Sequence, residues 1–127
     1  EYPPHNPGAK RIWVLDPIDG TKAFMAGFSS YTTLLALLED GKPQIGIIYQ
    51  PSQNMCWIGA DFITTISGRL AHVRECADLE HAMFSTTSPL YFQADEQTKI
   101  SNILKRCAWH QFGGDGYAYG QLAQGRV

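Results

Sequence analysis

At 127 residues, 44% hydrophobic and 17% charged, the chain has the size and composition of one soluble globular domain, which excludes a disordered or membrane-embedded segment. The net charge is −2 and the basic residues form only isolated pairs, Lys10-Arg11 and Lys105-Arg106, so nucleic acid and anionic membrane surfaces are not expected partners. Cys56, Cys76 and Cys107 are too few and too widely spaced for a disulfide framework or a zinc ribbon and read as reduced, buried thiols. No apolar run approaches the ~18 residues of a membrane span and no signal pattern opens the chain, so the expected location is the cytoplasm.

Residues 1–9 hold three prolines and a glycine, which remove donors and forbid helix, and predict a loop. Ile12, Trp13, Val14 and Leu15 form a continuous apolar run, predicting a strand buried on both faces of a layered α/β structure and ending at Asp16-Pro17. A short helix is predicted over 22–26. Residues 31–38 and 44–49, separated by the turn-forming Glu39-Asp40-Gly41-Lys42, read as a β-hairpin. A strand over 55–58 follows, and residues 61–73 fit either strand or helix. Another strand is predicted over 82–85. Ile100, Ile103, Leu104 and Cys107 fall at i, i+3, i+4, i+7, predicting an amphipathic helix whose first amides Asp95 can cap. Residues 108–112 read as a strand, Gly113-Gly114 as a tight turn and residues 115–123 as a final helix. The chain starts at Glu1 and stops at Gly125-Arg126-Val127, where an apolar segment is beginning, so it is expected to be one partial domain, 1–127, of a longer protein.

The chemistry lies after the first strand. Asp16 and Asp19 flank Pro17, whose fixed φ limits the turn so that both carboxylates and the Ile18 carbonyl can point into one volume. Oxygen donors in that arrangement suit Mg²⁺, which keeps waters and phosphate oxygens in the rest of its shell. The amides at the start of the helix after Gly20 and Thr21 are unpaired donors that favour an anion. A phosphate is therefore expected beside the cation, with the Thr21 hydroxyl placed to hold and polarise a water, the arrangement of metal-assisted hydrolysis. Asp-Pro and Asp-Gly taken singly are ordinary turn chemistry.

The string Asp16-Pro17-Ile18-Asp19-Gly20-Thr21 after an apolar strand resembles the metal-binding motif of the inositol monophosphatase family. Lys22-Ala23-Phe24, Ser85-Thr86-Thr87-Ser88-Pro89 and the run from Gly113 to Gly120 are similar to the histidinol-phosphate phosphatase branch of that family, whose members are considerably longer. The resemblance implies a layered α/β/α/β/α sandwich, here incomplete, and Mg²⁺-dependent hydrolysis of a small phosphate monoester. It implies Asp16, the Ile18 carbonyl, Asp19 and Glu1 as metal ligands, and Gly20 and Thr21 as phosphate-binding residues. Asp19 and Thr21 would be catalytic, and Asp115 would face the alcohol half of the substrate. Histidinol phosphate is the first substrate expected, with inositol or sugar phosphates as alternatives and a homodimer left open. Gln111 stands where many relatives have an arginine, which weakens the inference to one substrate. The earlier and later ligands of the family motif would lie beyond both ends, so the 127 residues alone are expected to bind Mg²⁺ poorly and turn over slowly.

A haloacid-dehalogenase-type phosphatase would need two aspartates two positions apart and a later acidic pair. Asp16 and Asp19 are three apart, and aspartates 40, 61, 78, 95 and 115 are solitary. A non-catalytic domain that keeps the fold is the alternative from another class. His5, His72, His81 and His110 lack ligand spacing, Trp13, Trp57 and Trp109 read as core or strand residues, and Ser85 and Ser88 lie in no nucleophile elbow.

Overall fold

The computed structural model describes Asn6 and residues 8–127; Glu1 and most of the loop expected over 1–9 lie outside the described residues. Six strands run as an antiparallel meander: β1 (Arg11–Asp19), β2 (Thr32–Glu39), β3 (Lys42–Gln50), β4 (Met55–Ala60), β5 (Ile63–Ile66) and β6 (Arg69–Leu70), ordered in space as in sequence. A helix, α1 (Thr21–Met25), interrupts the connection from β1 to β2. Two further strands, β7 (Met83–Thr86) and β8 (Trp109–Phe112), pair in parallel. A parallel pair needs a long crossover, supplied here by α2 (Ala94–Arg106), and α3 (Asp115–Ala123) follows β8.

Turn chemistry sets the meander's register. Two-residue hairpin loops favour turns with both central residues at positive φ, because that twist matches the strands. Asp40-Gly41 (φ 48° and 76°), Asp61-Phe62 (49° and 62°) and Ser67-Gly68 (47° and 82°) all have this form. They close β2–β3, β4–β5 and β5–β6, pairing Glu39 with Lys42, Ala60 with Ile63 and Ile66 with Arg69. The residues 61–73 that fitted either period thus resolve as strand, ending at Leu70. Between β3 and β4 the side chain of Gln50, almost fully buried, accepts from the Gln53 amide at 2.9 Å and donates to the Ser29 carbonyl and the Ser52 hydroxyl.

The helix α3 reaches the sheet through glycines one turn apart. A Cβ on Gly116 would fall 2.7 Å from Leu34 Cδ2, and one on Gly120 would fall 2.8–3.0 Å from the Trp57 ring. Trp57, 2% exposed, packs edge-on against Tyr117 with ring centroids 6.0 Å apart. The core therefore sits between α3 and the centre of the meander.

Several expectations need correction. Among the described residues β1 is not buried on both faces: it pairs with β2 alone, at the edge of the sheet, and Trp13 and Leu15 are 56% and 60% exposed. Nor does it stop at Asp16-Pro17, since an edge strand tolerates a proline that cannot donate to the ladder and the strand continues to Asp19. Asp95 does not cap α2; the helix opens on Gln93, whose amide donates to Glu96 Oε2 at 2.9 Å, and Asp95 lies in the first turn, where its charge complements the helix dipole. The cysteines are free, but none is buried, and Cys76 is exposed. The tryptophans are as expected: Trp57 is core, and Trp13 and Trp109 lie on β1 and β8. The amphipathic stripe of α2 is as expected, with Ile100, Ile103 and Leu104 half-buried among exposed neighbours. No helix among the described residues is long and apolar enough to cross a membrane.

The close approach of α3 is testable. Gly120→Val should destabilise the fold by about 1–3 kcal/mol, since extra methyl groups would strike the rigid Trp57 ring. Gly46→Ala, where a Cβ meets nothing within 4 Å, should stay within about 0.5 kcal/mol. Urea unfolding of both variants checks this; equal stability would contradict the packing of α3.

Candidate active site

Side chains alternate along a strand, so residues three apart normally point to opposite faces. Asp16 pairs with Leu34 and Asp19 with Thr32, with a register shift between them, so three steps along β1 match two along β2. The extra residue is a bulge, and it returns Asp19 to the face that carries Asp16. Cross-strand partners share a face, and both Leu34 and Thr32 face α3, where a Cβ on Gly116 would approach their side chains to 2.7 and 2.8 Å. Both carboxylates therefore lie on the α3 side of the sheet. The Thr33 hydroxyl donates to the Pro17 carbonyl at 2.9 Å and the Ile18 amide donates to Asp16 Oδ1 at 3.2 Å. The juxtaposition expected from the rigid proline thus comes from a bulge that contains it.

Asp19 is the junction. Its Oδ2 accepts from the Gly116 amide at 2.6 Å and from the Thr32 hydroxyl at 3.1 Å. Gly113, Gly114 and Asp115 precede that amide with φ of 86°, 94° and 41°, three successive left-handed residues that glycine permits and aspartate tolerates. The turn swings Asp115 toward α1: a Cβ on Gly20 would fall 3.2 Å from Asp115 Oδ2.

Two left-handed glycines bracket α1. Gly20, at φ 79°, precedes it, and Gly27, at φ 77°, follows it. Gly27 and Phe28 donate back to the carbonyls of Phe24 and Ala23 at 3.1 and 2.9 Å, a Schellman closure. The Phe24 amide closes the first turn onto the Gly20 carbonyl at 3.0 Å, so the amides of Thr21, Lys22 and Ala23 lie outside the helix's own ladder. The helix begins at Thr21, one residue earlier than expected, and the Thr21 side chain is exposed.

Lys22 Nζ donates to the Tyr91 hydroxyl at 2.8 Å and lies 5.4 Å from the centre of that ring. This hydrogen bond and the electrostatic influence of Tyr91, with a smaller part from Asp115, raise the lysine's pKa. The pairing of α1 with residues near 91 had no signal in the sequence, because the partners are 69 positions apart.

Beside Asp115 is a cavity of about 300 Å³ whose walls include Ser85, Thr86, Thr87, Gly113 and Tyr119. The Gly113 amide, donating to the carbonyls of Thr86 and Thr87 at 2.9 and 3.0 Å, joins its two sides. Gln111 lies on β8 opposite Ser85 and is exposed. Asp19, Gly20 and Asp115 thus meet at the α1 and α3 starts, Asp16 shares the face of Asp19, Thr21 opens α1 with its side chain exposed, and Glu1 lies outside the described residues. Among the described residues no three His, Cys, Asp or Glu side chains cluster as a metal site. The oxygen donors available are those of Asp16, Asp19 and the Ile18 carbonyl. His81 is occupied by Asp78 at 2.7 Å.

The inositol monophosphatase family matches residues 3–127. This chain belongs to that family. An inositol monophosphatase from Zymomonas mobilis superposes with a TM-score of 0.89 at 45% identity, over 95% of this chain and 48% of the other. The chloroplastic bifunctional phosphatase IMPL2 of Arabidopsis thaliana is 41% identical over 120 residues, 94% of this chain and 35% of that protein. A histidinol-phosphatase of Mycobacterium tuberculosis is 37% identical over 84 residues, 61% of this chain and 32% of that protein. The chain spans half the length of these relatives or less. An Anabaena inositol monophosphatase at 22% identity and TM-score 0.84 shares the fold, so the expected layered α/β class holds.

The bracketed α1 carries its own prediction. Alanine at φ near +79° is disfavoured by roughly 1–2 kcal/mol, so Gly20→Ala and Gly27→Ala should each lower thermal stability by about that much. Gly20→Ala should cost the more of the two, because only there does the new methyl meet Asp115. Wild-type stability in both variants would contradict the left-handed geometry.

Proposed function

We propose that this protein is a Mg²⁺-dependent phosphatase acting on a small phosphate monoester, with histidinol phosphate as its substrate. The observation that carries this reading is the bulge that turns Asp16 and Asp19 to one face beside the unpaired amides of α1. All the donors there are oxygens, and Asp19 Oδ1 accepts no hydrogen bond from a described residue, which fits a hard cation. Asp16, Asp19 and the Ile18 carbonyl would hold Mg²⁺, and Glu1 is proposed as a further ligand. Bound there, Mg²⁺ supplies positive charge for the phosphoryl oxygens and makes water a better nucleophile at neutral pH.

The chain's own groups supply the rest. Gly20 and Thr21 bind the phosphoryl oxygens, the Thr21 amide being one that the helix ladder leaves free. The Thr21 hydroxyl orients the attacking water, and Asp19 fixes the cation-side geometry. Lys22, hydrogen-bonded to Tyr91, adds a cation on the same side. Asp115, on the wall of the cavity, faces the alcohol, where a carboxylate suits a leaving group that carries a protonated amine. That favours histidinol over inositol, and the likeness to the Mycobacterium histidinol-phosphatase points the same way. The inositol phosphate alternative is supported by the likeness to the Zymomonas enzyme.

Initial rates on histidinol phosphate, inositol monophosphate and a sugar phosphate, with and without Mg²⁺, test the reading. The highest kcat/KM is expected for histidinol phosphate. Asp115→Asn should raise KM for that substrate about tenfold, the loss of one charge-assisted hydrogen bond worth roughly 1.5 kcal/mol, and leave KM for inositol phosphate unchanged. Equal effects on both substrates would sink the role of Asp115, and metal-independent turnover would sink the mechanism.

A further inference from the structure

We propose that Thr32 is a positioning residue for the Asp19 carboxylate: its hydroxyl and the Gly116 amide jointly engage Oδ2 and leave Oδ1 as the oxygen offered to a cation. The inference rests on the reading of Asp16 and Asp19 as cation ligands, and it adds a residue that no part of the motif contains.

Thr32 is the first residue of β2 and is completely buried. Packing alone does not explain it. A buried hydroxyl without a partner is costly, and valine would fill the same volume without that cost. The hydroxyl here has a partner: it donates to Asp19 Oδ2 at 3.1 Å, and the Gly116 amide donates to the same oxygen at 2.6 Å. Backbone walls that oxygen in, since a Cβ on Gly116 would fall 2.6 Å from it and 2.8 Å from Thr32 Oγ1. Oδ2 therefore has two donors and is closely approached on the α3 side, while Oδ1 accepts from no described residue. A ligating carboxylate is commonly oriented in this way by hydrogen bonds to its other oxygen, and losing such a partner weakens metal affinity 10–100-fold. The second donor is the backbone of α3, so the arrangement also ties Asp115, one residue before Gly116, to the ligand's position.

Two variants separate hydroxyl from packing. Thr32→Val keeps the shape and loses the donor; Thr32→Ser keeps the donor and loses a methyl group. Mn²⁺, followed by its electron paramagnetic resonance up to millimolar concentration, is the probe. Thr32→Val should weaken Mn²⁺ binding about tenfold or more, and Thr32→Ser should stay within about twofold of the wild type. The cation-free melting temperature of each variant is measured beside it. If Thr32→Val does not fold, Thr32→Ala takes its place in the comparison with Thr32→Ser. Equal affinity in the wild type and the variant lacking the hydroxyl would overturn the role of Thr32 and leave the cation site standing. Equal weakening by both variants would overturn it too, by assigning the effect to packing. Absence of Mn²⁺ binding to the wild type would instead overturn the cation site, and this inference with it.

Discussion

One extra residue in β1, between Asp16 and Asp19, governs the geometry of the site. In a regular strand those carboxylates would lie on opposite faces of the sheet, roughly a sheet's thickness apart and unable to share a ligand. With three steps of β1 matched to two of β2 they share a face. A bulge of this kind needs a place in the sheet that tolerates lost ladder bonds, and an edge strand is such a place. Pro17, which has no amide to contribute, fits there for the same reason.

The second constraint is close backbone approach. Asp19 meets α3 directly at the Gly116 amide, and α3 can come that near only because residues 116 and 120 carry no side chain. Trp57 then fills the space one turn further on, so the same helix closes the core and buttresses the carboxylate. The left-handed run from Gly113 to Asp115 lets the chain leave β8, turn sharply and start α3 at the carboxylate. Packing and site are thus continuous: a change that lifts α3 from the sheet also removes a donor from Asp19.

Much of this architecture was legible in the residues. The hairpin over β2 and β3 was visible because Asp-Gly supplies the positive φ that a two-residue turn needs, and α2 because its apolar residues keep helical spacing. The Gly-Gly turn and the bounds of α3 were also readable. The apolar run of β1 misled, because four consecutive apolar residues look the same in a central strand and in an edge strand. Asp95 misled because a capping residue and a first-turn acid differ by only one or two positions. Contacts such as Gly116 to Asp19, 97 positions apart, or Lys22 to Tyr91 depend on how the layers stack, which local pattern does not encode.

The central claim is that the bulged edge of β1 holds a divalent cation. Paramagnetic broadening of backbone amide resonances by Mn²⁺ reports distance from the ion directly, without requiring turnover. Selective loss of signal at Asp16, Ile18, Asp19, Gly20 and Thr21, reversed by excess Mg²⁺, is the expected result. Broadening centred elsewhere, for instance around Asp78 and Glu80, or no selective broadening at all, would contradict the account.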